Sequence, residues 1–131
     1  MSRSRAELAL VALVALVAVP LAVAGDKVAF GSQVVPILDR HCVSCHVEGG
    51  ELGGLSLYPD PWTRLVGVAS TQSALKLVEP GSPEKSYLYV KLLGTQESAG
   101  GSGLRMPPQQ PLPAADLETI RRWIQQGAGP D

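Results

Sequence analysis

Two thiols and an imidazole stand together in Cys42-Val43-Ser44-Cys45-His46. Four chemistries use such a cluster. An exported chain can close its two cysteines as a structural disulfide. A thioredoxin-like redox pair would need a βαβ setting and a Cys at a helix N-terminus, and neither is visible around these residues. Zinc held by His41, Cys42, Cys45 and His46 would crowd four ligands into six residues, two pairs of them adjacent, which strains a tetrahedral shell. The fourth chemistry fits best, because Cys-x-x-Cys-His is the attachment pattern for a c-type haem. Thiols three apart on a helical turn face the same way. Each S–H can then add across one vinyl group of the porphyrin, and His46, one residue on, can reach the iron as proximal ligand.

A second axial ligand can be sought by elimination. Past residues 1–24, which read as a leader, the chain keeps one other histidine, His41, and one methionine, Met106. His41 directly precedes Cys42, so the attachment would hold it on the proximal side; it reads as a solvated or supporting residue. Met106 lies 60 residues after His46, enough chain to pass the edge of a haem and return. Pro107 restricts Met106 to extended backbone, and Pro108 stiffens the next step of the chain. The bland alternative is a lone Met filling a gap in the core. Beside a haem motif, distal ligation by Met106 is the better reading, and a neutral thioether favours Fe(II) and raises the potential.

The chain's beginning sets the compartment. Arg3 and Arg5 precede an unbroken apolar run over residues 8–24, and Ala22-Val23-Ala24 fits a cleavage site. Residues 1–24 read as a signal peptide cut before Gly25, with an uncleaved membrane anchor at 8–24 as the rival, since the run is at the short limit for a span. Cleavage removes two Arg and one Glu from the 11 basic and 12 acidic residues, leaving 9 and 11 and a formal charge of −2 over residues 25–131. No basic stripe or aromatic platform points to nucleic acid. Aromatics are 5% of the chain, few for a domain this small to fill a core, so a covalent haem would serve as both staple and core.

The elements that must position these groups read as helices. Residues 33–42 carry Val34, Val35, Ile37 and Leu38 in a helical pattern ending at the cysteines, with Pro36 confined to its first turn. Gly49, Gly50, Gly53 and Gly54 mark a loop. Asp60-Pro61 reads as an N-cap followed by Pro at the first helical position. Ser82-Pro83 repeats the signal and predicts a helix to Leu93, stopped by Gly94. Residues 94–103 read as a flexible Gly/Ser loop. A last helix from Ala114 places Leu117, Ile120, Trp123 and Ile124 on one face and ends at Gly127. There is no credible strand alternation and no internal repeat, so the expected class is all-α.

Through these residues the chain resembles the class I cytochrome c family, in particular bacterial single-haem domains. Pro36-Ile37-Leu38, His41 to His46 and Gly53-Gly54-Leu55 match the family's first half. The segment from Val78 through Pro80-Gly81-Ser82-Pro83-Glu84 to Ser86, Tyr87 and Leu88 matches its middle. Met106-Pro107-Pro108 with Ile120, Trp123, Ile124, Gly127 and Ala128 matches its end. The resemblance implies four to five short helices around one covalently bound haem, with first and last helices crossing. It implies Cys42 and Cys45 as attachment sites, His46 and Met106 as iron ligands, and one-electron transfer. One departure is Pro113, where the family carries a Ser or Thr cap before its last helix.

The expected protein is therefore a carrier rather than an enzyme. It works outside the cytoplasm, periplasmic or anchored by residues 8–24, and exchanges electrons with redox partner proteins through small transient contacts. It meets the membrane only if the leader stays uncleaved. Two alternatives stand beside this: an open-site haem protein, peroxidase-like or gas-binding, and an electron-transfer subunit of a larger redox enzyme. Arg105, Trp62 and Tyr58 are weaker candidates for partners of the haem carboxylates, with core packing the better reading for Trp62 and Tyr58. Pro36 is a candidate support for His46. Trp123 reads as a helix contact, and Arg121-Arg122 as a solvated face.

Overall fold

The chain turns helical at Phe30, three residues before the expected start. A π-helical turn over Phe30–Val34 runs straight into α1, Val35–His41. Pro36 accounts for the wide turn: it has no N–H to donate, and its ring crowds the carbonyl four residues back. The Val35 N–H instead reaches the Phe30 carbonyl five residues back, the spacing of a π turn. A computed structural model describes residues 25–47 and 52–131. The leader read at 1–24 and the loop glycines Gly49 and Gly50 lie outside the described residues.

The second helix forms as its sequence predicts. In α2, Pro61–Leu65, the Asp60 carboxylate accepts a hydrogen bond from the Thr63 N–H at 3.4 Å, and Pro61 occupies the first turn. The third departs from expectation. Ser82-Pro83 opens only a 3₁₀ turn, Pro83–Lys85, and the Ser82 side chain makes no cap. Ser86 is extended and fully buried, and α3 begins after it as Tyr87–Leu93. The cause is the Ser86 hydroxyl, which donates to the Ser82 carbonyl at 2.9 Å and accepts from the Glu79 N–H at 2.9 Å. A side chain that binds nearby backbone in this way competes with helix propagation. Gly94, at φ 77°, closes α3 in the left-handed conformation that suits glycine.

The last helix, α4, covers Ala114–Gln125 and buries Ile120, Trp123 and Ile124. Pro113 precedes it and supplies no side-chain cap. Phe30 stacks at a tilt on Trp123 with ring centroids 5.0 Å apart, a pair worth about 0.5–1.5 kcal/mol beyond its buried area. At the other end of the two helices, Arg40 and His41 meet Asp116 at 3.4 and 3.2 Å. Contacts that join the start of one helical run to the end of the other mean that the two run in opposite senses. Both tryptophans pin the C-terminal tail: the Trp62 indole donates to the Ala128 carbonyl at 2.9 Å and that of Trp123 to Gly129 at 2.8 Å. Arg122, read as solvated, instead donates to the Asp26 carbonyl at 2.7 Å.

Among the described residues there are four α-helices and no strand, and no helix is long and apolar enough to cross a membrane. Three isolated bridges shape residues 66–86, pairing Val66 with Val78, Ala69 with Lys76 and Lys76 with Ser86. Together with α3 they close one side of a cavity. Leu38, Leu57, Leu65, Leu92 and Ile120 form part of a shared apolar core behind it. Full burial of one such side chain contributes about 1.5–3 kcal/mol.

Candidate functional site

The pentapeptide is a tight turn at the end of α1. The backbone leaves helical geometry at Cys42, φ −128° and ψ −45°. The Cys42 carbonyl then accepts from the N–H groups of both Cys45 and His46, at 3.1 and 3.0 Å. His46 is fixed twice more. Its carbonyl accepts from the Leu57 N–H at 2.8 Å, and its ring Nδ1 lies 3.2 Å from the Leu55 carbonyl oxygen. A carbonyl can only accept, so Nδ1 carries a proton in this hydrogen bond and Nε2 is the nitrogen left to take a ligand. That is the arrangement a metal-binding histidine needs, held by an outer hydrogen bond.

Cys42, His46 and Met106 line one cavity of about 270 Å³. Its walls are mainly apolar, with Leu57, Leu65, Leu77, Leu88 and Leu92 among them. Met106 reaches it on the segment after α3, its N–H donating to the Lys91 carbonyl at 3.1 Å. The loop expected to be flexible is built: it holds a 3₁₀ turn, Gln96–Ala99. The buried Gln96 accepts from the Gly101 N–H through its own carbonyl at 2.8 Å, and its side chain donates to the Gly103 carbonyl at 2.7 Å. The Lys91 ammonium donates to the Ser102 carbonyl at 2.6 Å.

Cys45 is not on the cavity wall. It is exposed, its sulfur 3.9 Å from the Ser44 hydroxyl. His41 faces away as well, toward Asp116, which is the supporting role read for it. Trp62 has given its N–H to Ala128, and Tyr58 is exposed. Arg105 lies beside Met106 with its Nε buried and without a hydrogen-bond partner. The apolar leucines and the segment Ser70-Thr71-Gln72 on the cavity wall were not singled out from sequence. No local pattern marks them, because residues far apart in the chain converge there.

The rival chemistries fare poorly against this geometry. Both cysteines are free thiols. Among the described residues no three His, Cys, Asp or Glu side chains gather to hold a metal ion, since His41 and His46 turn to different partners. Burial pushes the Cys42 thiol up to about 11, so it stays protonated at neutral pH. It also sits at a helix C-terminus, whose dipole disfavours a thiolate. A redox dithiol needs the opposite.

No family model matches the chain, and searches of curated proteins and of solved structures return no match.

The fit to a haem can be judged on the residues themselves. A protonated attachment thiol, an imidazole with its outer nitrogen tied, and a thioether share one apolar cavity. An imidazole and a thioether on one apolar cavity are a donor set that would suit an iron porphyrin.

Proposed function

We propose that this chain binds one c-type haem covalently and carries single electrons outside the cytoplasm, in the manner of the class I cytochromes c. The reading rests on one observation above all: Cys42, His46 and Met106 line the same apolar cavity, with the His46 ring held at Nδ1 by an outer hydrogen bond. When bound, the haem supplies a reversible Fe(III)/Fe(II) couple.

The chain's own residues do the rest. Cys42 and Cys45 would hold the porphyrin covalently through their sulfurs. Cys45 must swing inward by a rotation about its exposed turn to do so. His46 offers Nε2 to the iron, and the Leu55 carbonyl keeps its ring from turning. Met106 would hold the iron through a neutral sulfur, which favours the reduced state. The leucine walls keep water from the iron, which also raises the potential.

The test is a mature preparation from a host able to attach haem. A pyridine haemochrome spectrum of the c type, with a mass equal to the processed polypeptide plus one haem, is the expected result. A colourless protein with the unmodified mass contradicts the proposal. Carbon monoxide separates the carrier from an open-site haem protein: slow or negligible binding by the reduced protein at neutral pH is expected, and rapid binding favours the open site.

A further inference from the structure

The cavity has one polar side, and its residues form a connected chain. Tyr87 and Lys91 sit four apart on α3, hence on one face of the helix. The Tyr87 hydroxyl donates to Gln72 Oε1 at 3.1 Å. The same hydroxyl abuts Gly101, so closely that a Cβ there would collide with it. Gly101 leads to Ser102, whose carbonyl accepts from Lys91 Nζ. Gln72, Tyr87, Lys91 and Ser102 all line the cavity that holds Cys42, His46 and Met106.

Two features of this side call for an anionic occupant. Among the described residues, Lys91 is the only Lys, Arg, Asp or Glu on the cavity wall, and its ammonium has a carbonyl for a partner and no carboxylate. A half-buried cation beside apolar walls is stabilised by an opposite charge. Gln72 adds neutral donors. Because Tyr87 donates to its oxygen, the amide nitrogen of Gln72, exposed at the cavity rim, has no partner among the described residues.

We propose that Lys91 and Gln72 receive the carboxylate groups of the ligand in this cavity, with Tyr87 as the positioning residue that aims the Gln72 amide. This inference rests on the haem reading, in which those carboxylates are the propionates. It gives Lys91 a further role. A fixed positive charge close to the porphyrin offsets the carboxylates and favours Fe(II), so Lys91 raises the potential at which the protein works.

The experiment is redox titration of the holoprotein and of three variants. Lys91→Gln keeps a donor for the Ser102 carbonyl and removes the charge. It should shift the reduced-to-oxidised ratio at a fixed applied potential about threefold to tenfold toward the oxidised form, a fall of roughly 30–60 mV at 59 mV per decade. Lys91→Arg should restore the parent value. Lys85→Gln, at an exposed lysine off the cavity, should leave the potential unchanged. The low-spin spectrum should persist in all of them. An unchanged potential in Lys91→Gln, an equal fall in Lys85→Gln, or a fall accompanied by loss of the low-spin spectrum overturns the assignment, the last because it means that Lys91 only pins the Met106 loop. A parent protein that carries haem while Lys91→Gln shows no shift sinks this inference alone; a colourless parent sinks the haem reading with it.

Discussion

The two ends of the cavity are built by opposite means. The His46 end is local: a five-residue turn whose carbonyl at Cys42 takes two N–H groups, closed by bonds to Leu55 and Leu57 within eleven residues of His46. The Met106 end is assembled at a distance. Its segment is tied to α3 through the Lys91 carbonyl and ammonium, and to itself through the buried Gln96. A locally built end can form early and be recognised by the machinery that attaches a cofactor. An end that depends on tertiary contacts is complete only when the fold is, so in the proposed reading it would tune a bound iron rather than capture the haem.

Substitutions should separate these roles. His46→Ala removes the ring that the local turn holds, and no stable low-spin holoprotein should accumulate, as read by haem content per polypeptide. Met106→Ala should keep haem content near that of the parent while changing its state. A high-spin or water-ligated spectrum, a markedly lower potential and rapid carbon monoxide binding are expected. If both variants lose haem equally, or if Met106→Ala keeps the low-spin spectrum and the potential, the contrast between the ends is wrong.

Smaller effects test the contacts beneath. Gly101→Ala would place a methyl on the Tyr87 hydroxyl and ring. Overpacking of this kind costs about 1–3 kcal/mol, to be read from the shift of the denaturant midpoint, and here it should also speed carbon monoxide binding by loosening the Met106 loop. At the bottom of the scale stands Asp116→Asn, which weakens the clasp to Arg40 and His41 on the solvent side of the helix pair. Partly exposed pairs contribute about 0–1 kcal/mol, so its midpoint should barely move and the potential should stay unchanged. A large change in potential would mean that the clasp reaches the iron through the His46 turn.

The same division governs how much was legible in the sequence. The Asp60 cap, the stop at Gly94 and the apolar face of α4 are short-range patterns, and the structure has them at the positions their sequence predicts. The late start of α3 is hidden because Ser82-Pro83 carries a good cap signal, and nothing in it reveals that the Ser86 hydroxyl four residues on will bind backward. The early π turn is hidden because Pro36 reads as a helix start rather than as a residue that widens the turn before it. Residues 94–103 have the composition of a flexible linker, yet a single buried Gln96 side chain orders them. Cys45 shows the limit of spacing rules, since it is exposed and off the cavity wall although the turn from Cys42 to His46 keeps helical hydrogen bonds.

The most direct test of the central claim is the position of one methyl resonance. With the one methionine methyl of residues 25–131 labelled in the mature, reduced holoprotein, Met106 bound to the iron would hold its methyl against the porphyrin face, where the ring current shifts it far upfield. The expected spectrum contains that one resonance, absent in Met106→Ala. A Met106 methyl at an ordinary position, in a protein that carries its haem, would show that Met106 and His46 do not share an iron.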